Sequence, residues 1–114
     1  MQVVDLQKSK GFQDLGVELL SISPDDPEDW ADAAQEYEIP PGTPLLSDPA
    51  NKVAEAFDIM QWQAATGEPG HTFVLVDREG TIAWVKDYGA LENGGIMYVI
   101  PEEITRLLSE QLAG

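Results

Sequence analysis

The sequence contains no cysteine, and that absence removes a whole class of chemistry. Disulfides, zinc–thiolate sites and thiol nucleophiles are all excluded. Basic residues are scarce as well: six Lys and Arg stand against 21 Asp and Glu, a formal net charge of −15. A field of that sign repels phosphate backbones and anionic lipid surfaces, so neither nucleic acid nor a membrane is expected as a partner. Solubility and self-repulsion are the plain account of the acidity. No stretch approaches the ~20 consecutive apolar residues of a membrane-spanning helix. The opening MQVVDLQKSKGFQDL lacks the apolar core and small-residue cleavage site of a secretory signal. Cytoplasm is therefore the default location.

What remains suits one globular domain over residues 1–114. Its 43% hydrophobic content, with three each of Trp, Tyr and Phe, is enough for a packed core. There is no internal repeat and no low-complexity tract. Residues 1–10 suit a helix that weakens at Gly11 and Gly16. Val17–Ser23, VELLSIS, alternates as a buried strand does. A helix follows with Asp26 as N-cap, Pro27 in its first turn and Glu28 and Asp29 at the positive end of its dipole. Trp30, Ala33, Ala34 and Tyr37 give it one apolar face, and IPPG, residues 39–42, stops it. Asp48-Pro49 repeats the capping device before a helix with Val53, Ala56 and Phe57 inward. Thr72–Val76 and Thr81–Val85 form a hairpin around Asp77-Arg78-Glu79-Gly80, with Gly80 free to take positive φ. Ile96–Ile100 is apolar but of undecided form. A last helix starts at Pro101 and places Ile104, Leu107, Leu108 and Leu112 on one side. This order fits an α/β sheet with helices on both faces.

Three blocks, GVELLSISPDDPEDWADAAQEY, PLLSDPANKVAEAFDI and HTFVLVDREGTIAWV, resemble the peroxiredoxin and redoxin branch of the thioredoxin fold, which includes the alkyl hydroperoxide reductase and thiol-specific antioxidant proteins. They occur in family order and cover about residues 12–88. The resemblance implies a thioredoxin-like mixed sheet and thiol-dependent reduction of peroxides or disulfides. Its nucleophile is a Cys at the start of the first helix, where the dipole and a nearby cation lower the thiol's pKa. Met1–Leu15 looks like the tail of that helix. On this view the chain is the C-terminal two-thirds of a family domain, whether a separately expressed fragment, a gene read from an internal Met, or a degenerate paralogue. As it stands it should be inactive, with a peroxide or thiol partner only in a longer form. The alternative is a Cys-free, non-enzymatic binding or dimerisation module. No cofactor is implied.

The family position of the pocket floor falls on Pro69, Gly70, His71 and Thr72, although the family's Arg is Gly70 here and no cis-Pro stands in register. His71 is the single histidine. With no Ser or Cys at recognisable spacing, it is better read as a hydrogen-bonded strand-start residue than as a pH-sensitive catalytic group. Trp62, in a polar loop, suits a core anchor and a partner surface equally. Trp30 and Trp84 suit sheet packing. The run Asp25, Asp26, Glu28, Asp29 and Asp32 lacks the ligand pattern of a calcium loop, and capping accounts for it, so no metal is expected. In the thioredoxin layout the Cys-bearing strand is central, between the VELLSIS strand and the hairpin. Without it, a gap should open beside Val17–Ser23, to be filled by residues 1–10 turned to strand (QVVDL) or by a second copy. The chain is thus expected to be a homo-oligomer, a dimer with or without swapping.

Overall fold

The computed structural model describes residues 2–40 and 42–113. Met1 of the first segment, Pro41 of the IPPG stop and Gly114 at the chain end lie outside the described residues. The chain opens with helix α1, Gln2–Lys8, and a short second turn, α2, Lys10–Gln13. QVVDL is therefore helical and does not become a strand. The reason is amphipathic packing: Val4, Leu6 and Phe12 are buried, and Leu6 is only 1% exposed. Ser9 separates the two turns, and its hydroxyl accepts from the Phe12 N–H, a local cap that restarts the helix before Gly16 ends it.

Strand β1 covers Ser21–Ser23, shorter than the Val17–Ser23 run, because it is paired on one side alone and its partner is equally short. That partner, β2, Leu45–Ser47, is parallel to it, with Ile22 opposite Leu46. Three residues after Pro44 carry too little periodicity to announce a strand, and β2 is a segment missed in the sequence. Between them lies α3, Pro27–Glu36. Asp26 holds the N-cap position, yet its side chain makes no cap hydrogen bond. The helix ends with Glu38 at φ +54° and the Ile39 N–H donating back to the Ala34 carbonyl, which seats Ile39 in the interior at 7% exposure. The Trp30 indole N–H donates to the Leu46 carbonyl at 3.0 Å and ties α3 to β2, whereas Tyr37 is exposed.

Helix α4, Lys52–Ala56, follows a 3₁₀ turn at Pro49–Asn51. Ala54 is its buried residue, while Val53 and Ala56 are exposed and Phe57 is half-buried. The helix is rotated from the expected face because the buried Asp48 carboxylate accepts from both the Val53 and Ala54 N–H groups at 2.9 Å. Strands β3, Thr72–Val76, and β4, Ile82–Asp87, form the antiparallel hairpin. Its turn is fixed by Asp77, which accepts from the Glu79 and Thr81 N–H groups, with Gly80 at φ +83°. Residues 96–100 are irregular, with Val99 buried and its neighbours exposed. Helix α5, Pro101–Ala113, closes the fold, burying Ile104 and Leu108 while leaving Leu112 51% exposed.

The core joins Leu6, Phe12, Leu75, Tyr88, Ile104 and Leu108, so it sits among α1, α2, the hairpin and α5. The β1–β2–α3 portion is packed more thinly, and α3 buries no residue. Among the described residues, four strands make two separate two-stranded sheets, β1–β2 and β3–β4.

Candidate functional site

A cleft of about 840 Å³ lies between the two sheets. β1 and the residues before it supply Leu19, Leu20 and Ile22, and the hairpin supplies Phe73, Val74 and Trp84. Pro69, Gly70, His71 and Thr72 all line this cleft, at the end where β3 begins. Trp62 does not. It is half-buried in a 3₁₀ turn, Ile59–Trp62, and its carbonyl lies against Gly70.

The wall at the start of β3 is built with little tolerance. A Cβ on Gly70 would stand 2.8 Å from the Trp62 carbonyl oxygen, and one on Gly89 would stand 2.5 Å from the His71 nitrogen. Glycine is required at both positions by close backbone approach. His71 Nε2 lies 3.0 Å from Gln2 Oε1. Gln2 is itself oriented by Val99, whose N–H donates to Oε1 at 2.7 Å and whose carbonyl accepts from Nε2 at 2.8 Å. An oxygen that already accepts from Val99 can only accept from the ring, so the hydrogen is assigned to His71 Nε2. Burial pushes the His71 pKa down, against a smaller opposing pull from Asp87, so the ring is neutral near pH 7. Its edge packs on Phe73 at 5.2 Å between centroids.

Asp87, at the end of β4, is 5% exposed. Its carboxylate accepts from the Thr72 hydroxyl at 2.7 Å, the Ala90 N–H at 3.0 Å and the Asn93 amide at 2.8 Å. Burial alone would raise its pKa. The hydrogen bonds from Asn93, Thr72, Ala90 and Gly89 outweigh that effect and hold it below the usual 3.8. Nothing in the sequence set Asp87 apart from the other acidic residues. The usable signal was its position, a carboxylate closing an apolar strand and opposite a threonine. Next to it, Tyr88 packs edge-on against Phe73 at 5.9 Å, and burial, with the Glu103 carboxylate near, pushes its hydroxyl up to about 12.

The site's hydrogen bonds thus bind imidazole to amide and hydroxyl to carboxylate. His71 and Thr72 are neighbours in sequence, but neither is the other's partner, so no hydroxyl is activated by a base in the manner of a nucleophilic triad. Among the described residues no group of three His, Asp or Glu could hold a metal ion, and no helix is long and apolar enough to cross a membrane.

The model of the AhpC/TSA family matches residues 1–85 of the 114. The chain therefore belongs to the AhpC/TSA family of redoxins, whose fold is thioredoxin-like. The matched segment runs from α1 into β4 and ends just before Asp87. No curated protein and no solved structure matches significantly.

Proposed function

We propose that this chain is the framework half of a redoxin pocket, and that by itself it does not turn over peroxide. The observation that carries this reading is the commitment of its pocket residues. His71 is bonded to Gln2 and Thr72 to Asp87, and the sequence supplies no thiol beside them. Family chemistry depends on a thiolate, and a hydroxyl already donating to a carboxylate is no substitute. In a longer form bearing the Cys, the same floor would serve peroxide or disulfide reduction. Hydrogen peroxide consumption with dithiothreitol as reductant should equal the protein-free blank. A rate proportional to protein concentration would overturn the reading.

A second reading, a non-enzymatic binding or dimerisation module, is favoured by an apolar surface of different position. In the 91–100 loop, Leu91 is 93% exposed, Met97 61% and Ile100 58%. Large apolar side chains exposed close together in sequence suit an interaction site, and a second copy is the occupant proposed here. Sedimentation velocity should then show a dimer that Met97→Lys disperses. A monomer at every concentration would remove self-association.

A further inference from the structure

Beyond β4 the chain makes a 3₁₀ turn, Leu91–Asn93, that is tied back to the cleft wall through Asp87. The Asn93 side-chain amide donates to Asp87 Oδ2 at 2.8 Å. A carboxylate only accepts, so it is the amide nitrogen that faces it. The same carboxylate holds the Thr72 hydroxyl at the start of β3 and the Ala90 N–H. Asn93 is followed by Gly94 and Gly95, which stand at φ +116° and +63°. Residues 91–95 are all exposed, so burial does nothing to hold the turn shut. One carbonyl, that of Ala90, accepts from both the Asn93 and Gly95 N–H groups at 2.9 Å, and the Gly94 N–H reaches the Leu91 carbonyl at 3.2 Å. Bonds of a single 3₁₀ turn have poor geometry, and an exposed turn held by them opens locally at small cost.

We propose that Asn93 is a site of spontaneous deamidation, and that the carboxylate it leaves opens the Asp87 clasp on the cleft wall. When the turn opens, the Gly94 backbone nitrogen gives up its proton to base and bonds to Asn93 Cγ. The Cγ–Nδ2 bond breaks and ammonia leaves, giving a cyclic imide. Water then adds to either imide carbonyl and yields Asp or an isoaspartyl linkage, with no oxidant or reductant involved. Gly94 permits the approach because it carries no Cβ to crowd the attacked carbon. The chain's other asparagine, Asn51, is unsuited: it is followed by Lys52, which begins α4, and its Oδ1 is buried. Either product at position 93 replaces a donor by an acceptor-only anion beside Asp87, itself 5% exposed. Burial would raise the Asp87 carboxyl, and Asn93 heads the hydrogen bonds that hold it below 3.8. Losing that donor and gaining a like charge both work against the ionised form. The conflict falls on the group that anchors Thr72 and Ala90, so a change in an exposed turn reaches the floor of the cleft. The inference is independent of whether the chain turns over peroxide.

The test ages the full folded chain at mildly alkaline pH and follows the peptides containing Asn93 and Asn51 by mass spectrometry, with isoaspartate detected by enzymatic methylation. Asn93 should convert about tenfold or more faster than Asn51, since Lys52 crowds the attack that Gly94 leaves open. The converted fraction carries one more negative charge, separates on anion exchange, and should show faster hydrogen exchange at the Ala90 amide. Asn93→Asp copies one product and should raise the unfolding constant about tenfold in urea titrations, less at high salt. In an Asp87→Asn background the same change should cost severalfold less, because the like charge is gone. Should Asn93→Asp not fold, exchange at Ala90 in the aged wild-type fraction carries the test. Equal conversion of the two asparagines, or conversion of Asn93 in urea-unfolded chain alone, would overturn the proposal. So would an unchanged Ala90 amide in the converted fraction, or an Asn93→Asp cost that is the same with Asp87 and with Asn at that position.

Discussion

Replacing Asp87 separates a hydrogen-bonding role from a charge role, and the structure assigns different outcomes to two substitutions. Asp87→Ala removes the acceptor for the Thr72 hydroxyl, the Ala90 N–H and the Asn93 amide together. Asn93 is exposed and recovers its bond from water. Thr72 and Ala90 are half-buried, and a buried group left unpaired costs about 1–3 kcal/mol. The expected loss is about 2–4 kcal/mol, a large share of the roughly 5–15 kcal/mol that stabilises a domain. Asp87→Asn is different. The two N–H donors, on Ala90 and Asn93, converge on Oδ2, while Oδ1 receives the Thr72 hydroxyl. An asparagine with its oxygen toward Ala90 and Asn93 keeps both bonds, and its NH₂ then donates to Thr72, whose hydroxyl rotates to accept. The loss is confined to charge assistance, about 1 kcal/mol.

Urea unfolding at pH 7, followed by Trp fluorescence and far-ultraviolet circular dichroism, should therefore separate the two variants by roughly 2 kcal/mol. The gap should persist between Asp87→Asn and Asp87→Ala when pH is lowered, whereas the gap between wild type and Asp87→Asn should not. The folded carboxyl titrates below its ordinary 3.8, so its charge-dependent stabilisation is complete above that value and disappears as pH falls through the folded pKa. Equal losses for Asn and Ala at pH 7 would refute the hydrogen-bond account, and two neutral variants would show that the node does not anchor the site.

Three further outcomes are expected. Gly89→Ala should destabilise by about 1–3 kcal/mol or more through overpacking, because its Cβ would stand 2.5 Å from the His71 nitrogen, and chemical unfolding measures it. Glu38→Gly should stabilise by about 1 kcal/mol in the same assay, since Glu38 holds the left-handed position after α3 at φ +54°. His71 has a folded pKa pushed below 6.5 by burial, so the unfolded chain binds the proton first. Its contribution is present above pH 6.5 and declines as acid takes pH through the folded value. His71→Gln should remove that component of the stability difference between pH 7 and pH 5, and an unchanged slope would show that the ring does not titrate on unfolding.

The elements most legible in the sequence were those whose local chemistry and tertiary role agree. The hairpin carries two short apolar runs joined by an Asp-to-Gly turn, and it forms almost where its residues say. α3 begins at Pro27 and α5 at Pro101 for the same reason. The departures have local causes. Val17–Leu20 alternates as a strand does, yet a ladder needs a partner, and β2 reaches only as far as Ser21–Ser23. QVVDL has strand-like residues, but Leu6 on α1 and Phe12 on α2 join the core with Leu75 and Ile104, and burial decides the conformation. Val53 and Ala56 follow helical spacing, but the Asp48 carboxylate rotates the helix by capping Val53 and Ala54. At the site, the sequence pointed to residues 69–72 through family position alone. Gln2, Asp87 and Gly89, which orient those residues, lie far from them along the chain, and no short-range pattern marks them.

Resemblance and anchorage therefore occupy different parts of this chain. The segment matched by the AhpC/TSA family stops at Val85, while Asp87, Tyr88 and Gly89 lie just beyond it, and α5 supplies Ile104 and Leu108 to the core. The hairpin wall of the cleft is held from outside the matched region and from α1, through Gln2. The β1–β2 wall is held less firmly, since α3 half-buries Trp30, Ala33 and Ala34 without fully burying any residue, and the Trp30 indole donates to the Leu46 carbonyl. Two walls of unequal firmness, each a two-stranded sheet of marginal independent stability, face a slot lined with apolar side chains.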